Sequence, residues 1–270
     1  MALGEFVDTV SPQMRAQIGQ TLVDIEEKHG VRVLFAIESG SRAWGFPSPD
    51  SDYDVRFVYA HPRDRYLRLF PGRDVIELPI DAVLDVNGWD LQKALRLLIK
   101  PNPVLLEWLS SPIRYTWDDA ICADLIAFSR KASHRSACLY HYLSLAWSQW
   151  HRHIEGRETI NFKRYFYVLR PALALRWVRL HPETPPPMNF QTLVAGLEID
   201  DKVVALIDHL LVLKSWARET ADGARFPEID ALILGELQWG DTQEKRKPNQ
   251  HLIGEADELF RRILSQLAPD

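Results

Sequence analysis

The sequence predicts an α+β protein in which a small mixed β-sheet domain precedes an all-helical C-terminal domain. Short β-branched or alternating runs, typical of strands, occur before residue 87. From there onward apolar side chains recur at helical spacing. Strands grouped before helices indicate an α+β architecture rather than alternating βαβ units. We expect the sheet domain at residues 1–115 and the helical domain at residues 116–270.

The first predicted elements are a helix and a buried strand. Ser11 can cap a helix that has Pro12 at its first position, and apolar residues then recur at helical spacing until Gly30. The run "VRVLFAI" at residues 31–37 is short, apolar and β-branched, which favours a buried strand. It leads directly into the polar stretch "ESGSRAWGFPSPDSDYDVRF" at residues 38–57.

Three further strands and a series of helices follow in the prediction. Residues 54–59 alternate polar and apolar, and "DVIELPI" and "AVLDV" are strand-like runs that end at residue 86. A helical pattern begins with "GWDLQKALRLLIK", and no later strand is predicted. The later helices are expected at about residues 118–132, 135–155, 160–180, 200–220, 227–238 and 251–267.

The composition excludes several classes of protein. The chain has 270 residues and a net charge of −5, so no strongly basic field attracts nucleic acid over the whole surface. Two cysteines, Cys122 and Cys138, are too few for a disulfide framework and lack zinc-site spacing. No signal peptide is recognisable, and no apolar run reaches the roughly 18 residues of a membrane span. We expect a cytoplasmic protein that does not bind membranes.

Two aspartates in the polar stretch are candidate metal ligands. In a strand Asp52 and Asp54 fall on one face, about 6.6 Å apart at Cα. Asp85 on a neighbouring strand is the best-placed third carboxylate, and Asp81 is the alternative. Such a cluster favours magnesium, and two ions about 4 Å apart would support phosphoryl or nucleotidyl transfer. A turn whose Asp side chains accept from local amides would have a similar composition.

The glycine-serine pair that precedes these aspartates is a candidate phosphate-binding turn. Gly40 lets the backbone turn after a buried strand, and Ser41 and Arg42 then begin a short helix that Gly45 ends. Their amides, the Ser41 hydroxyl and the Arg42 charge suit a triphosphate. The sequence has no Walker A and no G-x-G-x-x-G pattern, and a lone Gly-Ser is more often a simple turn.

At this point the sequence resembles the DNA polymerase β-like nucleotidyltransferase superfamily. The signature is a Gly-Ser on a short helix, an Asp-x-Asp on the next strand and a later third carboxylate. More narrowly, the chain is similar to a bacterial and phage family of nucleotidyltransferases associated with RNA repair. The motifs "ESGSRAWGFPSPDSDYDVRFVY", "DVNGWDLQKAL", "NPVLLEWLSSPIRY" and "KRYFYVLRPALALRW" carry this resemblance and lie between residues 38 and 177.

The resemblance implies a polymerase β-like catalytic domain closed by the helical domain. It implies that Asp52, Asp54 and Asp85 bind two Mg²⁺ ions, and that Gly40 and Ser41 hold an NTP. The expected reaction is attack by an acceptor hydroxyl on the α-phosphate with release of pyrophosphate. An RNA end such as a tRNA 3′ terminus is the leading acceptor. A protein, an antibiotic-like small molecule and a non-catalytic nucleotide- or RNA-binding module are the alternatives, and the oligomeric state stays open.

One helix of the C-terminal part carries a basic and aromatic line. Lys163, Tyr167 and Arg170 recur at i, i+4 and i+7 beside the apolar face of "NFKRYFYVLRPALALRWVRL", and Pro171 should kink this helix. Such a line suits triphosphate oxygens and base stacking. It is also what a solvated edge looks like. The superfamily closes its nucleotide site with a lysine and a tyrosine of the second domain, which favours the nucleotide-binding role.

Overall fold

The computed structural model describes residues 4–49, 51–80, 83–100, 102–132, 134–216, 222–244 and 252–267. Its strands are β1 (Arg32–Ser39), β2 (Tyr53–Ala60), β3 (Val75–Glu77), β4 (Leu84–Asp90), β5 (Arg114–Trp117), β6 (Thr159–Asn161) and β7 (Asp222–Ala224). Its helices are α1 (Pro12–His29), α2 (Gly40–Trp44), α3 (Arg63–Tyr66), α4 (Leu91–Ile99), α5 (Pro103–Leu109), α6 (Asp119–Ser129), α7 (Arg135–His153), α8 (Phe162–Leu180), α9 (Phe190–Ala195), α10 (Asp201–Trp216), α11 (Pro227–Asp241) and α12 (Ile253–Leu267). The predicted α+β class is confirmed.

Five strands form one mixed sheet in the order β3-β4-β2-β1-β5. Strand β1 pairs antiparallel with β2 and β5, whereas β2 and β4 run parallel and β3 is antiparallel to β4. Because β2 and β4 run parallel, both begin at the edge of the sheet where β1 ends. Residues at the starts of β2 and β4 therefore lie side by side.

Helix α1 covers one face of this sheet. The Ser11 hydroxyl caps it by accepting from the amide of Met14, and Gly30 ends it in the left-handed conformation at φ 58°, as predicted. Three of its apolar residues pack in one buried cluster with side chains of β1, β2, β3 and β4, namely Ile18, Leu22 and Ile25. Each buried aliphatic side chain contributes roughly 1.5–3 kcal/mol.

The same cluster fixes which face of β2 carries polar residues. Val55, Phe57 and Tyr59 are buried in the cluster with α1. Successive side chains of a strand point to opposite faces, so Asp54 and Arg56 point to the other face. The hydrophobic alternation of β2 therefore decides where its charged side chains lie.

The chain divides into two compact units. The sheet unit comprises Asp8–Ala43, Asp52–Ser133 and Pro248–Asp270, and the helical unit comprises Met1–Val7, Trp44–Ser51 and His134–Lys247. This division differs from the expected boundary at residues 115 and 116, because α6 packs on β1 and α12 packs on α4 and α6. An amphipathic pattern shows that a helix has a buried face, but it does not show which surface covers that face.

Several strands differ from the sequence prediction. Strand β4 extends to Asp90, whose side chain accepts from the amide of Gln92 at 2.7 Å and so caps α4; the predicted helical start at residue 87 was wrong. Strand β5 lies at the edge of the sheet, and β6 pairs with β7 in the helical unit. The C-terminal part is therefore not all-helical. Three- and four-residue strands are too short to show a period of two.

In the helical unit, α8 packs against α7 and α11. The apolar face predicted for this helix includes Phe166, Leu169 and Leu173, which are fully buried, and Pro171 lies inside the helix. No helix in the described part of the chain is long and apolar enough to span a membrane.

Candidate active site at the edge of the sheet

The turn from β1 into α2 requires a glycine at its first residue. Gly40 has φ +64°, in the left-handed region, and a Cβ at this position would lie 2.1 Å from Oδ2 of Asp54. A side chain here would therefore be both strained and in collision with the carboxylate. Gly45, with φ 85°, ends α2 as the sequence predicts.

Asp54 and Asp85 lie directly opposite each other on the parallel strands β2 and β4. Each side chain is 31% exposed, so both carboxylates remain accessible at the edge of the sheet. Asp52 lies just before β2 and is exposed. The alternative third acid, Asp81, lies outside the described residues. The structure therefore brings Asp85 beside Asp54, as expected from the order of the strands.

An arginine that the sequence analysis did not single out lies between the two carboxylates. Nη2 of Arg56 donates to Oδ1 of Asp54 at 3.1 Å and to Oδ2 of Asp85 at 2.7 Å. Its Nη1 donates to the carbonyl oxygens of Val55 and Asp85. One guanidinium thus joins β2 to β4 through the paired acids. Its position two residues after Asp54, on the same face of the strand, was the signal available in the sequence.

The carboxylates also interact electrostatically. The pKa of Asp54 is raised, chiefly by burial and further by the negative charges of Asp85 and Asp52, whereas the positive charge of Arg56 opposes the rise. All three aspartates therefore share one local field. Such a field favours the binding of a cation.

Glu38, the first residue of the polar stretch, is a second residue that the sequence analysis missed. It is fully buried at the end of β1, where Oε1 accepts from the amide of Asp54 at 2.9 Å and Oε2 accepts from the hydroxyl of Tyr115. Burial is the main reason that its pKa rises to about 7. A glutamate within an apolar strand was the available signal. By accepting this hydrogen bond, Glu38 fixes the position of the Asp54 backbone.

Ser41 and Arg42 follow Gly40 on α2 but have different surroundings. Ser41 is half-buried. Arg42 is 7% exposed; its Nε donates to the carbonyl of Asp52 at 3.1 Å, and its guanidinium lies 3.9 Å from the ring centre of Tyr53. These contacts position the backbone at Asp52. The expected contact of Arg42 with a nucleotide stays a prediction.

The basic and aromatic line of α8 belongs to the helical unit. Tyr167 meets the ring of Trp44 edge-on at 6.1 Å. Arg170 is buried, lies 4.7 Å from the ring centre of Trp44 and donates to the carbonyl of Met188. Lys163 is half-buried one turn earlier. Two of the three predicted residues therefore gather around one tryptophan, and their roles toward a nucleotide stay predictions.

The comparison with protein families decides which family the chain belongs to. The model of the RlaP family, described as the RNA repair pathway DNA polymerase beta family, matches residues 14–262. The chain belongs to the RlaP family. The resemblance drawn from the motifs between residues 38 and 177 is thereby confirmed.

This RlaP family member is similar to proteins from two bacteria. The uncharacterized protein YcgL of Bacillus subtilis (strain 168) is 42% identical over 225 residues, which cover 83% of this chain and 86% of YcgL. A crystal structure of a nucleotidyltransferase-like protein from Exiguobacterium sibiricum 255-15 was also matched, with 13% sequence identity and a TM-score of 0.29. The match covers 93% of this chain and 89% of the other chain. A TM-score this low supports no argument about geometry, so membership of the RlaP family rests on the match of the family model.

We call the edge of the sheet that carries Asp52, Asp54 and Asp85 the acidic edge. Its residues in this RlaP protein meet some of the requirements of a cation site. The space between Asp54 and Asp85 holds the Arg56 guanidinium, so these carboxylates already accommodate one positive group. Among the described residues no group of three or more His, Cys, Asp or Glu is placed to hold a metal ion. Asp52, Asp54 and Asp85 are therefore not grouped as a three-residue metal site in this conformation. A two-ion site on Asp52, Asp54 and Asp85 stays a prediction, which the all-oxygen donor set suits.

Proposed function

We propose that this protein is a magnesium-dependent nucleotidyltransferase that moves a nucleotidyl group from an NTP to a hydroxyl at an RNA end and releases pyrophosphate. The observation that supports this function most directly is the pairing of Asp54 with Asp85 beside the Gly40 turn. Adjacent carboxylates beside a turn rich in hydrogen-bond donors suit a reaction between a metal-bound triphosphate and a hydroxyl. The description of the family as part of an RNA repair pathway supports RNA as the proposed acceptor.

In this proposal the Gly40 turn binds the triphosphate. The left-handed glycine directs the chain from β1 into α2, and successive backbone N–H groups in such a turn form a concave site for anions. The Ser41 hydroxyl adds a donor. Arg42 acts indirectly, by holding the Asp52 carbonyl. Lys163, Tyr167 and Arg170 are proposed contacts to the triphosphate and base on the strength of the family resemblance.

The proposed reaction is an in-line displacement at the α-phosphorus. The acceptor hydroxyl loses its proton to Asp85, its oxygen bonds to the α-phosphorus, and the bond to pyrophosphate breaks. Asp52, Asp54 and Asp85 would hold magnesium ions, which polarise the hydroxyl and neutralise charge on the triphosphate. Arg56 donates to one oxygen of each carboxylate, Oδ1 of Asp54 and Oδ2 of Asp85, and would compete with the ions for these two oxygens.

Pyrophosphate release from each NTP, with total RNA and Mg²⁺ present, tests this function. We expect release with the wild type. Asp54→Asn should lower the rate by more than the roughly 10- to 100-fold that outer-shell partners of metal ligands cost. The matched control is Asp257→Asn on α12 of the same unit, because Asp257 is exposed. Equal rates for the wild type and Asp54→Asn would show that these carboxylates do not carry the reaction.

A further inference from the structure

The loop at residues 61–74, which connects β2 to β3, exposes large apolar side chains in a basic segment. We call it the arginine loop. Leu69 is 87% exposed, Phe70 is 83% exposed and Leu67 is 74% exposed. Leu69 and Phe70 are the most exposed large hydrophobic residues in the described part of the chain. Adjacent exposed apolar side chains of this kind are typical of interaction surfaces.

The base of the arginine loop is firmly anchored. The Tyr66 hydroxyl donates to Oδ2 of Asp90 at 2.9 Å and accepts from the amide of His61 at 3.0 Å. The Tyr66 ring meets Phe260 edge-on at 4.9 Å. At the other end, the amide of Asp90 donates to the carbonyl of Asp74. The exposed apolar side chains are therefore displayed from a fixed base.

The arginine loop has unbalanced positive charge. Arg73 pairs with Glu77 and Asp74 pairs with Lys93. Arg63, Arg65 and Arg68 form no ion pair with any described residue. Arg65 lies across Gly72, where a Cβ would come within 1.9 Å of its Nη2. The positive field is felt at His61, whose pKa is lowered first by burial and then by Arg65 and Arg68.

We propose that the arginine loop binds the single-stranded part of the acceptor RNA, an inference that rests on the proposed function. Arg63, Arg65 and Arg68 contact backbone phosphates, which a guanidinium binds in a bidentate manner. The exposed Phe70 ring stacks on a base, as aromatic side chains do in single-strand binding proteins. Leu67 and Leu69 flank that base.

The sheet gives the distance between this surface and the candidate active site. Strand β2 runs from Tyr53 to Ala60, so Asp54 and Ala60, the last residue before the loop, lie about 20 Å apart at 3.3 Å per residue. A stacked nucleic-acid strand advances about 3.4 Å per nucleotide. About six nucleotides therefore separate a 3′ end at the acidic edge from the arginine loop.

Charge and size favour RNA over other occupants. The whole chain has a net charge of −5, whereas the arginine loop has four arginines and two aspartates, so this loop presents a locally positive surface to a polyanion. Three apolar side chains form a small surface compared with the roughly 800 Å² per partner of a stable protein interface. Every base offers a π-face to Phe70, whereas a lipid surface would need a longer apolar face.

Fluorescence anisotropy with labelled single-stranded RNA of about 12 nucleotides, without NTP, tests the proposal. Phe70→Ala should weaken binding by roughly 5- to 150-fold, the loss of one stacked base. Changing Arg63, Arg65 and Arg68 together to Gln should lower the slope of log K against log salt by about 2, at about 0.7 per phosphate. Arg130→Gln changes an exposed arginine that caps the C-terminal end of α6 in the same unit; it is the control and should leave the affinity nearly unchanged.

Other outcomes overturn the proposal or separate it from the proposed function. Unchanged affinity and salt slope in the loop variants would refute it, as would Phe70-dependent binding of phosphatidylserine vesicles or Phe70-dependent self-association in place of RNA binding. RNA binding that depends on the loop, without pyrophosphate release that depends on Asp54, would support RNA binding by the arginine loop and refute the proposed nucleotidyltransferase function. Pyrophosphate release that depends on Asp54, without RNA binding that depends on the loop, would support the proposed function and refute RNA binding by the loop. With active enzyme, the triple Gln variant should raise KM only for acceptors longer than about six nucleotides.

Discussion

Replacing the buried Glu38 with Gln should change how folding stability depends on pH. Gln has nearly the same shape as a protonated Glu and can still accept from the amide of Asp54. Burial raises the pKa of Glu38 from the ordinary value of 4.5 to about 7. Because the folded-state pKa is the higher one, the stabilising contribution of the protonated carboxyl is complete below pH 4.5 and is lost as the pH rises through 7.

The size of this effect follows from the two pKa values. A shift from 4.5 to about 7 corresponds to about 3 kcal/mol of unfolding free energy, at 1.36 kcal/mol per pKa unit. Urea unfolding of the wild type and Glu38→Gln between about pH 4.5 and pH 8 measures it. The unfolding free energy of Glu38→Gln minus that of the wild type should rise by about 3 kcal/mol as the pH increases from about 4.5 to just above 7, and should then stay level.

If the unfolding free energies of the wild type and Glu38→Gln changed in parallel with pH, the raised pKa of Glu38 would be refuted, because the other carboxyl groups titrate alike in both proteins. Tyr115→Phe provides a second check. The Tyr115 hydrogen bond lowers the pKa of Glu38, so its removal should move the wild-type stability loss to higher pH. A shift to lower pH would contradict the described contact between the two side chains.

Two further perturbations test the geometry of the acidic edge. Gly40→Ala should lower the unfolding free energy by about 1–3 kcal/mol more than Gly30→Ala does. Both glycines have a positive φ, but only at Gly40 would a Cβ collide with Asp54. Equal unfolding free energies of the two variants would contradict the close approach of Gly40 to the Asp54 side chain. Arg56→Met should lower the melting temperature in a chelator, because Asp54 and Asp85 lose the guanidinium between them. Mg²⁺ should then raise the melting temperature of Arg56→Met more than that of the wild type. An equal rise would contradict the inference that the ion and the Arg56 guanidinium bind at the same place between Asp54 and Asp85.

The sequence was sufficient where local signals and strand order agree. The Ser11 cap, Pro12 and Gly30 are local signals, and α1 has the predicted bounds. Asp54 and Asp85 could be placed together because Asp54 opens one strand-like run and Asp85 lies within another run of the same small domain. Their pairing in the structure depends on β2 and β4 being parallel neighbours, which the sequence suggests but does not specify.

Other parts of the site could not be predicted because tertiary contacts create them. Glu38 becomes a positioning residue only when β5 brings Tyr115 to it. Arg56 becomes a bridge only when β4 lies beside β2. The sequence of the arginine loop mixes arginines with large apolar residues, and the exposure of Phe70 is apparent only once the fold leaves that ring uncovered.

Transfer of label from an α-phosphorus-labelled NTP to RNA tests the central claim most directly. Wild type and Asp54→Asn would be incubated with each labelled NTP, Mg²⁺ and a single-stranded RNA, with Asp257→Asn as the control and melting curves to confirm that each variant is folded. We predict labelled RNA with the wild type and the control, and almost none with Asp54→Asn. Label that stays on free nucleotide with every protein, or that reaches RNA equally well with Asp54→Asn, would contradict the assignment of the acidic edge as a nucleotidyltransferase site.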